Sequence, residues 1–113
     1  MMEQYRQAFR EEAAELLAEL ETALLELERC PADEETIGRV FRALHTVKGS
    51  SAMFGFDAIS AFTHEIESVF EQVRAGAVPV TTELVGLTLL ARDLLAAMQI
   101  GRASCRERVS HQV

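Results

Sequence analysis

Leu44-His45-Thr46-Val47-Lys48-Gly49-Ser50-Ser51-Ala52-Met53-Phe54-Gly55-Phe56 places a histidine one helical turn ahead of a lysine and a glycine, and ends on a glycine between two phenylalanines. On an α-helix, positions three and four apart stack on one face, so His45, Lys48 and Gly49 form one short strip. Ile37, Val40, Phe41, Leu44 and Val47 make the apolar stripe that borders it. The imidazole is therefore expected at the edge of a packed face, supported by the helix and open to solvent. Gly55 is the expected left-handed terminator of that helix. Phe54 and Phe56 read as plugs that fix the turn into the next helix.

The residue types on the strip suit one chemistry. A neutral imidazole is a good nucleophile near pH 7, because its unperturbed pKa is about 6.5. An ammonium one turn away balances the charge of a phosphoryl group arriving on the ring. Gly49, with no side chain, leaves clearance for a second protein. The plain alternative for His45 is a partly buried histidine on an ordinary amphipathic helix.

Working outward, the N-terminal segment predicts a helix from about Glu3 to Glu28. Tyr5, Phe9, Ala13, Leu16, Leu17, Leu20, Leu24 and Leu27 recur at spacings of three and four. Its other face is acidic and reads as solvated. Cys30-Pro31 breaks the pattern. Asp33 is the expected N-cap of the histidine-bearing helix, with Glu34 and Glu35 in the first turn. Gly38 inside that helix is a candidate for a close helix contact.

On the C-terminal side, a third helix is predicted from Asp57 to Arg74, with Ile59, Phe62, Ile66, Val69, Phe70 and Val73 as its core positions. Gly76 and Pro79 end it. Thr81 or Thr82 caps a fourth helix with the stripe Leu84, Leu87, Thr88, Ala91, Leu94, Leu95 and Met98. Four amphipathic helices with short connections predict an all-α, antiparallel four-helix bundle. The bundle is expected over residues 1–99. Residues 100–113 hold three arginines against one glutamate, a net +2, so the rest of the chain carries −9. This tail resembles the in-frame translation of a common DNA-sequencing adapter, the ordinary alternative being a basic linker. No function is assigned to Cys105 or His111.

His64 and Glu67 lie one turn apart on the third helix, away from its predicted stripe. If the second and third helices are antiparallel neighbours, a carboxylate there faces His45. A carboxylate that accepts from one ring nitrogen sets the tautomer and leaves the other nitrogen's lone pair free. From spacing alone, a surface His–Glu contact is the commoner reading of the pair.

Phe41-Arg42-Ala43-Leu44-His45-Thr46-Val47-Lys48-Gly49, continued by Phe54-Gly55-Phe56, resembles the signature of histidine phosphotransfer (HPt) domains. Within that family it is most like the N-terminal HPt domain of chemotaxis histidine kinases of the CheA type. Phe62-Thr63-His64-Glu65-Ile66-Glu67 and the first helix, with Phe9, Glu12, Glu15-Leu16-Leu17 and Leu24-Leu25, fit the same family in order and spacing. The likeness covers roughly residues 3–98. It implies that His45 is the phosphoacceptor, that Glu67 orients it, and that Lys48 and, more weakly, His64 complete the polar patch. The family often carries a further glycine after Gly49, where this chain has Ser50 and Ser51. The implied partners are a histidine kinase ATP-binding domain and response-regulator receiver domains of the CheY or CheB kind. ATP and magnesium then belong to the kinase domain, and the bundle itself binds no cofactor.

Composition narrows the classes. A net charge of −7 without a basic stripe argues against nucleic acid as partner. No apolar run reaches the ~18 residues of a membrane span, and two cysteines make neither a disulfide framework nor a metal cluster. A monomeric, cytoplasmic domain is expected. No nucleotide-binding glycine pattern is present, so the chain is expected to be a substrate of a kinase, with no kinase activity of its own. The parentage expected is the N-terminal fragment of a CheA-like kinase. The alternatives are a free-standing HPt phosphorelay protein, a helical scaffold without chemistry, and a metal-binding bundle using His45, His64 and Glu67.

Overall fold

Each predicted break in the apolar periodicity is a helix end. The computed structural model describes residues 2–100, the side chains of residues 2, 3, 5, 6, 99 and 100 excepted. The Tyr5 side chain and the tail beyond residue 100, with Cys105 and His111, lie outside the described residues. Four helices run in order, α1 (Met2–Arg29), α2 (Glu34–Met53), α3 (Asp57–Arg74) and α4 (Thr82–Ile100).

The caps explain these bounds. Asp33 stands at the N-cap of α2, but its carboxylate does not cap a backbone N–H. It accepts instead from the Thr36 hydroxyl at 2.5 Å. At the other end, Gly55 has φ +82°, its N–H donates to the Ala52 carbonyl, and the Phe56 N–H donates to the Ser51 carbonyl. That pair of bonds is a Schellman motif, whose left-handed residue favours glycine. Gly76 repeats it after α3, with φ +83°, its N–H donating to the Val73 carbonyl and the Ala77 N–H to the Gln72 carbonyl. Of the two candidate threonines, Thr81 is the cap, its hydroxyl accepting the Leu84 N–H at 3.0 Å, and Thr82 is the first residue of α4.

The helices form an antiparallel four-helix bundle. Along α1 and α2, Arg39 pairs with Glu19 and Glu26 whereas Ser50 reaches Glu12, so the numbering runs in opposite senses. Between α2 and α3, Lys48 meets both Ser60 and Glu67 while His45 meets Glu67, again antiparallel. Packing is closest for α2 on α3, α1 on α2 and α1 on α4, and slackest for α3 on α4. Leu20, Leu24, Val40, Leu44, Phe70 and Leu95 are fully buried at the centre. Each side chain of that size contributes about 1.5–3 kcal/mol on burial. Phe54 and Phe56 both pack on Phe9, with centroids 5.1 and 4.8 Å away, and so tie the α2–α3 turn to α1.

Three expectations are corrected. Gly38 is buried, but the nearest atom to a Cβ there would be the Arg42 guanidinium of the same helix at 3.2 Å, so it serves no helix–helix approach. On α3, Val69 is exposed and Phe62 and Ile66 are half-buried; the inner face is Ile59, Thr63, Glu67, Phe70 and Val73. On α4, Leu87, Leu94 and Met98 face outward, and the inner face carries Val85, Thr88 and Leu95. A helix apolar nearly all round offers no stripe that selects a face. Part of the selection comes from Arg92, whose Nε donates to the Leu17 carbonyl of α1 at 3.0 Å.

Candidate functional site

The antiparallel pairing of α2 and α3 brings together the four charged or titratable residues singled out from the sequence. His45 lies at the outer edge of α2 with 64% of its side chain exposed, while the Glu67 side chain opposite is only 7% exposed. Nδ1 of His45 is 2.5 Å from Oε2 of Glu67. Lys48, one turn on, places Nζ 2.6 Å from the other carboxylate oxygen. His64 sits across the same carboxylate with Nδ1 3.6 Å from Oε1, an electrostatic neighbour outside hydrogen-bond reach.

Glu67 is the centre of the cluster, and its burial is the feature that sequence reading missed. A carboxylate on a helix reads as a solvent-facing residue. Here it occupies the inner face of α3 between Thr63 and Phe70. Burial pushes its pKa up, but the hydrogen bonds from Lys48 and His45 and their charges outweigh that, and the carboxyl is held below the ordinary glutamate range. An ionised carboxylate only accepts, so the proton between Glu67 and His45 resides on Nδ1. The lone pair then lies on Nε2, on the exposed side of the ring.

The surrounding residues hold this geometry. Ser60 on α3 donates to the Lys48 carbonyl at 3.2 Å, pinning the two helices about two turns from Glu67 along α3. Gly49 is exposed, and a Cβ added there meets nothing within 4 Å, so the bundle itself does not require glycine. Ser50 donates to Glu12 of α1 and Ser51 to the Val47 carbonyl one turn back in α2, so both hydroxyls are engaged within the bundle. Phe41, expected simply as part of the apolar stripe, lies beside the imidazole, with rings 10° from parallel and centroids 6.2 Å apart. The Arg74 guanidinium carbon is 4.5 Å from the Phe41 centroid. For Phe41, the four-residue spacing to His45 was the available signal; for Arg74 there was none, since its contact depends on how α3 lies on α2.

The metal-bundle alternative finds no support in this arrangement. The Glu67 oxygens are taken by an imidazole N–H and an ammonium, and no group of three His, Cys, Asp or Glu residues suited to a metal occurs among the described residues.

The sequence matches the Hpt domain family over residues 4–101. The chemotaxis protein CheA of Borreliella burgdorferi is 42% identical over 90 residues, which are 80% of this chain and 10% of that protein. The CheA of Salmonella typhimurium is 35% identical over 91 residues, 80% of this chain and 14% of that protein. The chain thus spans a small fraction of the length of these relatives. Among solved structures, the CheA phosphotransferase domain from Thermotoga maritima superposes with a TM-score of 0.83 at 34% identity, covering 88% of this chain and 93% of that one. The phosphorylated P1 domain of CheA3 in complex with CheY6 from R. sphaeroides gives a TM-score of 0.81 at 33% identity, covering 94% and 82%.

Proposed function

This chain belongs to the Hpt domain family, and on that premise we propose that it is the phosphocarrier module of a chemotaxis-type histidine kinase. His45 takes a phosphoryl group from the kinase's ATP-binding domain and yields it to an aspartate of a response-regulator receiver domain of the CheY or CheB kind. The observation that carries this reading is the exposed imidazole bonded through Nδ1 to a buried carboxylate, with an ammonium on that carboxylate's second oxygen. The chemotaxis kinases among its relatives, and the phosphorylated neighbour bound to CheY6, support it over a free-standing phosphorelay protein.

The chemistry follows from the tautomer. Nε2 attacks the γ-phosphorus of ATP held by the kinase domain with its magnesium; the N–P bond forms as the bond to the ADP oxygen breaks. The ring becomes a phosphoimidazolium, and Glu67, accepting from Nδ1–H, offsets its charge. Lys48 balances the phosphoryl oxygens, with His64 as a weaker support at the rim. Gly49 leaves the face beside His45 clear for the partner. The receiver aspartate then attacks phosphorus, the N–P bond breaks, and the neutral imidazole is restored. No helix among the described residues is long and apolar enough to cross a membrane, which accords with the cytoplasmic location we propose.

The test is phosphate incorporation from ATP by the catalytic core of a CheA-type kinase, followed by discharge to a receiver domain. One acid-labile, base-stable phosphoryl group is expected on His45, and His45→Gln abolishes it with the fold intact. Labelling of His64 in that variant at the wild-type rate refutes the site assignment.

A further inference from the structure

Among the described residues, the His45 imidazole has one hydrogen bond, from Nδ1 to Glu67. A single bond fixes a point on the ring and leaves the plane free to swing, and Nε2, across the ring from that point, is displaced most. Phosphoryl transfer depends on the lone pair lying in line with phosphorus and the departing oxygen. A second restraint on the plane is therefore needed, and Phe41 is placed to supply it. It precedes His45 by one turn, and its ring lies 10° from parallel with the imidazole at a centroid distance of 6.2 Å, within the range of offset stacks. It is itself half-buried against the core, which backs the surface it offers. From the last turn of α3, Arg74 lays its guanidinium over the same ring at 4.5 Å, joining Phe41 to the helix that carries Glu67.

We infer that Phe41 is a positioning residue for phosphoryl transfer, holding the plane of the His45 imidazole so that Nε2 stays aimed at the phosphoryl group, and that Arg74 secures Phe41 in that role. The inference rests on the phosphocarrier reading. Glu67 sets which nitrogen carries the lone pair; Phe41 sets where that lone pair points. A core-filling role needs only volume, which leucine also supplies, whereas a plane needs an aromatic ring.

The experiment measures single-turnover phosphorylation of the whole chain with two donors. One is ATP with a CheA-type kinase catalytic core. The other is phosphoramidate, a small donor that docks on no protein surface. Phe41→Leu is expected to slow labelling by about tenfold with both donors, while Phe41→Tyr restores the wild-type rate. Arg74→Ala, at an exposed position, is expected to slow both by about threefold, with Arg74→Lys between. Tm is followed alongside, and should Phe41→Leu fail to fold, the Arg74 pair decides. Unchanged rates, slowing with the kinase donor alone, or a tyrosine variant as slow as the leucine variant would each overturn the inference. A wild-type chain that takes no phosphate on His45 overturns the phosphocarrier reading and the inference with it.

Discussion

Replacing Glu67 by glutamine separates the charge of the carboxylate from its shape. Glutamine fills the same volume, but it no longer offers an anion to the His45 Nδ1–H or to the Lys48 ammonium. The phosphorylated ring is a cation, so the bond to Glu67 is charge-assisted on both sides when phosphate is present. Hydrogen bonds to charged groups contribute about 1.5–3 kcal/mol, which corresponds to a slowing of roughly 10- to 100-fold. The amide also presents an NH₂ group that favours the wrong tautomer of His45. Glu67 has a folded-state pKa below its unfolded value of about 4.3, so its contribution to stability is complete above that value and is lost as pH falls through the folded pKa. Urea unfolding from pH 7 down to pH 3 therefore shows the wild type losing stability below about pH 4.3 relative to Glu67→Gln. The two assays are phosphate incorporation at pH 7 and this pH series. Wild-type labelling by Glu67→Gln, or a stability difference that does not change between pH 3 and 5, refutes the account of the buried carboxylate.

Lys48→Ala removes the largest favourable influence on the Glu67 carboxyl, so its pKa, read by carbon NMR, rises while phosphoryl transfer weakens. Gly55→Ala meets no atom within 4 Å but forces a Cβ into φ +82°, costing about 1–2 kcal/mol in thermal unfolding with labelling retained. Leu44→Ala hollows the fully buried centre beside the site and costs about 2–5 kcal/mol in denaturant unfolding. Arg92→Met keeps the apolar stem but loses the bond to the Leu17 carbonyl; a cost of about 1–2 kcal/mol is expected, and no change would mean that Arg92 does not orient α4.

The local signals in this chain were strong where a single residue enforces a backbone state. Gly55 and Gly76 end α2 and α3 at the predicted places because a left-handed residue with two closing bonds is a property of a few consecutive positions. The stripes of α1 and α2 were legible for a related reason: acidic or polar residues alternate with the buried ones, so only one face fits a core. His45, Lys48 and Gly49 fell on one strip by helical spacing alone, and the likeness to HPt domains brought Glu67 to them.

Two features depended on contacts between helices far apart in sequence. The outward turn of Leu87, Leu94 and Met98 follows from how α4 lies on α1, where Arg92 reaches a backbone carbonyl of a residue 75 positions away. The burial of Glu67 is the second. A carboxylate is excluded from an apolar face unless its charge is met there, and both groups that meet it come from α2. Period and capping act within a few residues and are written into the chain, whereas the compensation that lets a charge be buried exists only when two helices have packed.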